Sequence, residues 1–172
     1  MFFSLGVMAQ SVDSESLSPK ELRKLERQQK AKEQLDSIKT MIEDQAFALE
    51  ANMLRSRTAA FNVMQQNNFI KVEGDEVVIQ TANASRVGMN GMGGVTVNGR
   101  LMTYDISSSK RGINVTMIVS SFALGNLNIN LSVNASGNAT ASINGSFGLR
   151  ATFQGDLVAL NNISQFEGTS IF

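Results

Sequence analysis

The residues with chemical potential are few. Gly88-Met89-Asn90-Gly91-Met92-Gly93-Gly94 is the richest motif. A glycine loop cradles phosphate where it opens a helix, because free N–H groups and the helix dipole converge there. Here the residues that follow, Val95 onward, alternate as a strand, and no Lys-Ser or Lys-Thr pair follows the glycines. Both the P-loop and the dinucleotide-binding readings fail on that context. The plain reading is a glycine-permissive entry into a strand. Arg86 and Arg100 bracket the loop in sequence. With Met89 and Met92 they form the candidate ligand-binding set, Arg86, Met89, Met92 and Arg100, in which two guanidinium groups would meet an anionic group. Lone strand arginines are more often surface charges.

With no Cys and no His in the chain, a thiolate or imidazole zinc site, a Ser-His or Cys-His nucleophile pair and a disulfide are all excluded. Carboxylates are then the main acid–base groups. Glu73, Asp75 and Glu76 cluster where a hairpin tip is expected, and solvent there keeps such groups ordinary. A glycosidase needs two opposed carboxylates in a cleft, one of them with a raised pKa. Asp105, Asp156 and Glu167 are the candidates for such a pair, but with no Trp and one Tyr there is little to stack on a sugar ring. Met89, Met92, Met102 and Met117 fit an adaptable apolar pocket as well as a core. No catalytic residue, metal ligand or cofactor is expected.

The elements that must position these residues differ between two parts of the chain. Of 15 basic and 15 acidic residues, nine of each fall before Thr58, and 13 of 14 glycines fall after Arg57. Zero net charge argues against a nucleic-acid partner, which requires clustered positive charge. Met1 to Ala9 is apolar. Val7 and Ala9 stand three and one residues before the bond to Gln10, as signal peptidase requires, although a basic leader is missing. The expectation is a signal remnant at 1–9, a mature chain from Gln10 and a periplasmic or secreted location. No stretch approaches the roughly 20 apolar residues of a membrane span.

Ser18-Pro19-Lys20-Glu21 is a capping box with proline at the first helical position. The helix it opens is polar to residue 33, then carries Leu35, Ile38, Met41 and Ile42 on one face. Residues 10–45 are thus a polar segment and a helix that docks by its second half.

From residue 46 to 172 the pattern is alternation. Leu127, Ile129, Leu131 and Val133 interleave with Asn128, Asn130, Ser132 and Asn134. Similar alternation marks Phe47-Leu49-Ala51-Met53, Val95-Val97-Gly99-Leu101, Ile113-Val115-Met117-Val119 and Leu149-Ala151-Phe153. Phe69 to Val72 and Val77 to Ile79 flank a glycine turn and read as a hairpin. The fold class is mainly β: an antiparallel β-sandwich or small barrel of seven to nine strands, each with one solvated face, preceded by an N-terminal α-helix.

Together these features resemble an uncharacterised family of exported Bacteroidetes proteins, the domain of unknown function 4251. The resemblance runs through Asn68 to Asp75, Gly93 to Arg100, Tyr104 with Lys110-Arg111-Gly112, and Phe166 to Ser170. It implies an envelope or secreted location and supplies no activity. The expected role is non-enzymatic, either binding a protein or envelope partner or serving as a structural component. The alternative is a small-barrel carrier of an apolar or lipid-like molecule.

Overall fold

The computed structural model describes residues 18–82, 93–109, 112–146, 149–163 and 165–170. Helix α1 spans Pro19–Glu43. The capping box forms as written: the Glu21 amide donates to Ser18 Oγ and the Ser18 amide donates to Glu21 Oε2. These Ser18 hydrogen bonds hold the Glu21 carboxyl below its usual range. Residues 19–34 are exposed on every side, whereas Ile38 and Ile42 are buried. The split follows from the sequence, since the first four turns hold too few apolar groups to bury a face. Gln45 ends the helix in the left-handed region at φ 53°, and its carbonyl accepts from the Gly74 amide at 2.9 Å.

Nine strands follow: β1 (Ala46–Arg55), β2 (Ala60–Asn62), β3 (Phe69–Glu73), β4 (Glu76–Thr81), β5 (Val95–Ser109), β6 (Gly112–Ser121), β7 (Gly125–Asn134), β8 (Asn138–Asn144) and β9 (Arg150–Ala159). All pair antiparallel with their neighbours. Strand β1 also pairs with β9, from Phe47 opposite Ala159 to Arg55 opposite Thr152. The sheet therefore closes into an eight-stranded antiparallel barrel, with β2 as a short extra strand on β1. Closure removes the edges that a sandwich would leave open. Gly155 sits at the seam, where an added Cβ would lie 1.9 Å from the Glu50 carbonyl oxygen. Only glycine permits that approach.

Two bulges bend the strands toward closure. One lies between Ala51 and Met53 of β1, and the other between Leu101 and Thr103 of β5. Each shifts the alternation by one residue. Leu54, opposite Phe153, faces the interior in place of Met53, and Tyr104, opposite Met117, faces inward in place of Thr103. The alternation expected through Met53, already less clean on its outer face, therefore breaks at the bulge.

The interior is apolar and lined from all sides by Phe47, Leu49, Ile70, Val115, Met117, Leu127, Ile129, Leu131, Ile143 and Phe153 among others. Helix α1 closes one end of it through Ile38 and Ile42. Tyr104 latches the plug: its hydroxyl donates to the Ile42 carbonyl at 2.7 Å. Burial pushes this hydroxyl well above the ordinary tyrosine range. A second tie runs from Gln34 Nε2 to the Ser136 carbonyl at 2.9 Å, in the β7–β8 turn.

Candidate functional site

The first question for a small barrel is whether it holds anything. An eight-stranded barrel is just wide enough either to fill with its own side chains or to admit one small ligand. A void large enough for a water exposes the atoms around it. Phe47 and Ile129 have no exposed surface, and Val115, Met117, Val119, Leu127 and Phe153 have 1% each. Among these side chains there is thus no space that admits water. Met117 is one of the fillers, while Met102 points out to solvent. The two therefore line no common pocket.

A second buried region lies outside the barrel wall. Gln80 projects from β4 on the outer face and has no exposed surface, as do its cross-strand neighbours Phe69 and Thr96. Residues 165–170 run over this patch. Gln80 Nε2 donates to the Phe166 carbonyl at 2.7 Å and to the Asn67 carbonyl at 3.2 Å. Its Oε1 accepts from Thr96 Oγ1 and from the Gly168 amide, both at 2.8 Å. All four hydrogen-bonding positions of the amide are used. Ser170 bridges to Thr96, and Lys71 Nζ lies 3.4 Å from Glu167. Asn68 completes the arrangement, accepting from the Ala82 amide at 2.8 Å and donating to the Met64 carbonyl at 2.9 Å. The C-terminal segment is thus a strap held to the sheet chiefly through Gln80, with the Lys71–Glu167 ion pair, the Thr96–Ser170 bridge and the Phe166 amide on the Gln66 carbonyl as further ties.

Of the candidate ligand-binding set, Arg86, Met89 and Met92 lie outside the described residues. Arg100 lies on β5 opposite Glu76. The glycine segment enters β5 five residues away, at Val95, a distance of roughly 17 Å along a strand. Arg100 Nε is 3.4 Å from Asp75 Oδ2. It shares a shallow groove with Lys71, Glu76 and Glu167, so two cations there face carboxylates of the chain itself. The expected hairpin tip forms at Gly74 (φ 60°), with Glu73 opposite Glu76. The carboxylates considered for a catalytic pair stand apart. Asp105 is exposed on β5, Asp156 accepts from Gln65 and Asn138, and Glu167 is held by Lys71. Among the described residues no group of three acidic side chains is placed to hold a metal ion. Among the same residues no helix is long and apolar enough to cross a membrane.

Gln80 was not among the sequence candidates, and Tyr104 entered only through the family resemblance, with no role attached. A signal for Gln80 was present: Val77-Val78-Ile79-Gln80 is continuous, not alternating, and all four are buried. Such a run marks a strand covered on both faces.

A closed antiparallel barrel plugged at one end by a helix and strapped along one side defines the class of protein. The family model described as "Domain of unknown function (DUF4251)" matches residues 29–157, and the chain belongs to that family. Among solved structures, it is similar to a DUF4251 family protein from Bacteroides eggerthii DSM 20697. The two are 32% identical with a TM-score of 0.61, over 74% of this chain and 89% of the other. No curated protein matches the chain.

Proposed function

We propose that this is an exported, non-enzymatic protein of the cell envelope that works through its outer surface. It acts by binding a partner or as a structural component, and not as a carrier of an apolar ligand. The observation that carries this reading is the filled interior: Phe47, Met117, Ile129 and Phe153 occupy the space a carrier would leave open. The apolar Met1–Ala9 stretch with its small residues before Gln10 supports export. The scattered carboxylates, in a chain without Cys or His, support a role without acid–base or nucleophilic chemistry.

Native mass spectrometry of protein purified from its own envelope tests both parts. The expected mass is that of the chain from Gln10 with no small molecule retained. A stoichiometric apolar ligand would overturn the surface-acting reading. A retained Met1 on protein recovered from the cytoplasm would overturn export.

A further inference from the structure

Helix α1 packs only by its second half. From Pro19 to Gln34 every residue is exposed, and the arm they form is about 24 Å long. The face by which the helix docks continues along this arm. Steps of three or four residues lead back from Ile38 through Gln34 to Lys30, Arg27, Lys24 with Arg23, and Lys20. Five cations therefore stand in one row, about 15 Å from end to end. Among the described residues none of the five takes part in a salt bridge. The carboxylates of the arm, Glu21, Glu26 and Glu33, fall to either side of the row, and Leu22 and Leu25 lie across the helix from it. Like charges three and four residues apart destabilise a helix, and a helix this short is marginal in water without packing. An unpacked arm with its cations gathered on one face is suited to meet a partner of opposite charge.

Where the arm leaves the barrel, Arg27, Lys30 and Gln34 line an open cleft with Asn134 and Ser136. Gln34 is bonded there to the Ser136 carbonyl. Asn134 is the last outward residue of β7, and from it the outer wall of β6, β7 and β8 begins. These three strands hold no charged residue. Their outward side chains are amides and hydroxyls, with Ile118 as the one apolar exception. Asn130 stands between Thr116 and Ser142, and Asn128 faces Asn144. Thr116 Oγ1 donates to Asn130 Oδ1 at 3.2 Å. Among the described residues Asn128, Ser132 and Asn144 have no side-chain hydrogen bond, so their donors and acceptors stay open to solvent. The wall runs about 27 Å along β7 from Asn126 to Asn134. Every amide and hydroxyl on it can both donate and accept.

We propose that the arm and this wall form one track for an acidic polysaccharide, a linear chain that carries carboxylates among hydroxyls. The cationic row takes the carboxylates. The cleft at Asn134 passes the chain to the wall, where amides and hydroxyls exchange hydrogen bonds with sugar hydroxyls. Charge complementarity selects this partner, and the continuity of row, cleft and wall gives it a path. A bilayer surface calls for apolar residues bordered by the cations, whereas Leu22 and Leu25 lie on the far side of the arm. A nucleic acid calls for aromatic side chains on which bases stack, and neither α1 nor the three strands contain one. A folded protein calls for a cluster of apolar anchors, and Ile118 stands alone. Without a ring to stack on, each sugar contributes little, so affinity comes from many units held along the track at once. The proposal rests on the surface-acting reading above and names its partner.

The test is isothermal titration calorimetry of the full chain with three polymers: alginate oligomers, which are polyuronates; dextran, which is neutral; and polyphosphate, which has charge without hydroxyls. The wild type is expected to bind alginate, less tightly at high salt, and to ignore dextran. A Lys24→Gln, Arg27→Gln variant should bind alginate about tenfold more weakly, since it forfeits two charge-assisted contacts. An Asn128→Ala, Asn130→Ala variant should also lose about tenfold on alginate, through two hydrogen bonds, and should bind polyphosphate as the wild type does. All four residues are exposed, so urea melts should match the wild type and separate lost binding from lost folding. The proposal is overturned by an absence of alginate binding, by dextran bound as tightly as alginate, or by an asparagine variant that keeps its hold on alginate or loses both polyanions alike. It is equally overturned by polyphosphate bound more tightly than alginate, which would assign the row to a phosphate polymer such as a nucleic acid. A protein that ignores alginate and self-associates until Asn128 and Asn130 are changed would assign the wall to a second copy. Failure here leaves the filled barrel and its test untouched, and an apolar ligand found inside the barrel would leave the calorimetric result standing.

Discussion

The barrel interior and the patch beneath the C-terminal strap are both sealed from water, yet they are held by different forces. The interior is a large apolar volume fed by eight strands and a helix, in which stability is spread over some twenty side chains. The patch is small, and its centre is the amide of Gln80, with four partners from three parts of the chain. Hydrophobic burial is non-directional and degrades gradually as methylenes are lost. A buried polar hub is stable only while every member is satisfied. One region therefore sets how stable the molecule is, and the other sets whether the strap is on or off.

Substitutions separate the two regions by size and by kind of effect. The largest is expected at Leu131, buried in the centre of β7. Leu131→Ala should cost about 2–5 kcal/mol in urea melts, through lost burial and a residual cavity. Gln80→Leu should cost less, about 1–3 kcal/mol, because the Gly168 amide and the Phe166 carbonyl lose the side chain that they bond. Its signature is local: limited proteolysis should clip the strap near Phe166 while the barrel survives. Simultaneous loss of strap and barrel in that variant would show that the two regions form one cooperative core. The smallest effect is expected at Asn130, exposed on the outer face of β7. Asn130→Thr should change stability by no more than about 0.5 kcal/mol. A loss at Asn130 larger than that at Leu131 would invert the register and place the polar row inside.

Much of the fold was legible in the residues. Leu127 to Asn134 alternates without a break, and the structure buries Leu127, Ile129, Leu131 and Val133 while exposing the residues between them. Ser18 to Glu21 marked the helix start, and the gap between Leu25 and Leu35 marked where docking begins. The choice between sandwich and barrel was not legible, because it rests on β1 meeting β9 across about a hundred residues and on a close backbone approach at Gly155. No local pattern encodes either. The bulges at Ala51/Met53 and Leu101/Thr103 escaped as well, since a register shift is a property of the paired strands and leaves no mark on either one alone. Less of the candidate site was legible. Sequence proximity linked Arg100 to the glycine segment, while strand geometry holds it at the other end of the β4–β5 ladder beside Asp75. The exposure of Phe122 was hidden because alternation treats an apolar residue as an inward one. Phe122 belongs to no strand and follows no alternation.

The seam between β1 and β9 also dictates the order in which the molecule can assemble. Its first full-length strand is bonded to its last, so the chain cannot close until residue 159 is available. A growing chain that has reached β8 carries two unpaired edges, one on β1 and one on β8. Such edges are the surfaces on which strands of different molecules pair. Contacts between the two ends of a sequence are the slowest to form, because loop closure must precede any gain. The barrel is therefore a late event with no stable half-way product, and a chain truncated before Arg150 is a template for aggregation, not a smaller version of the same protein.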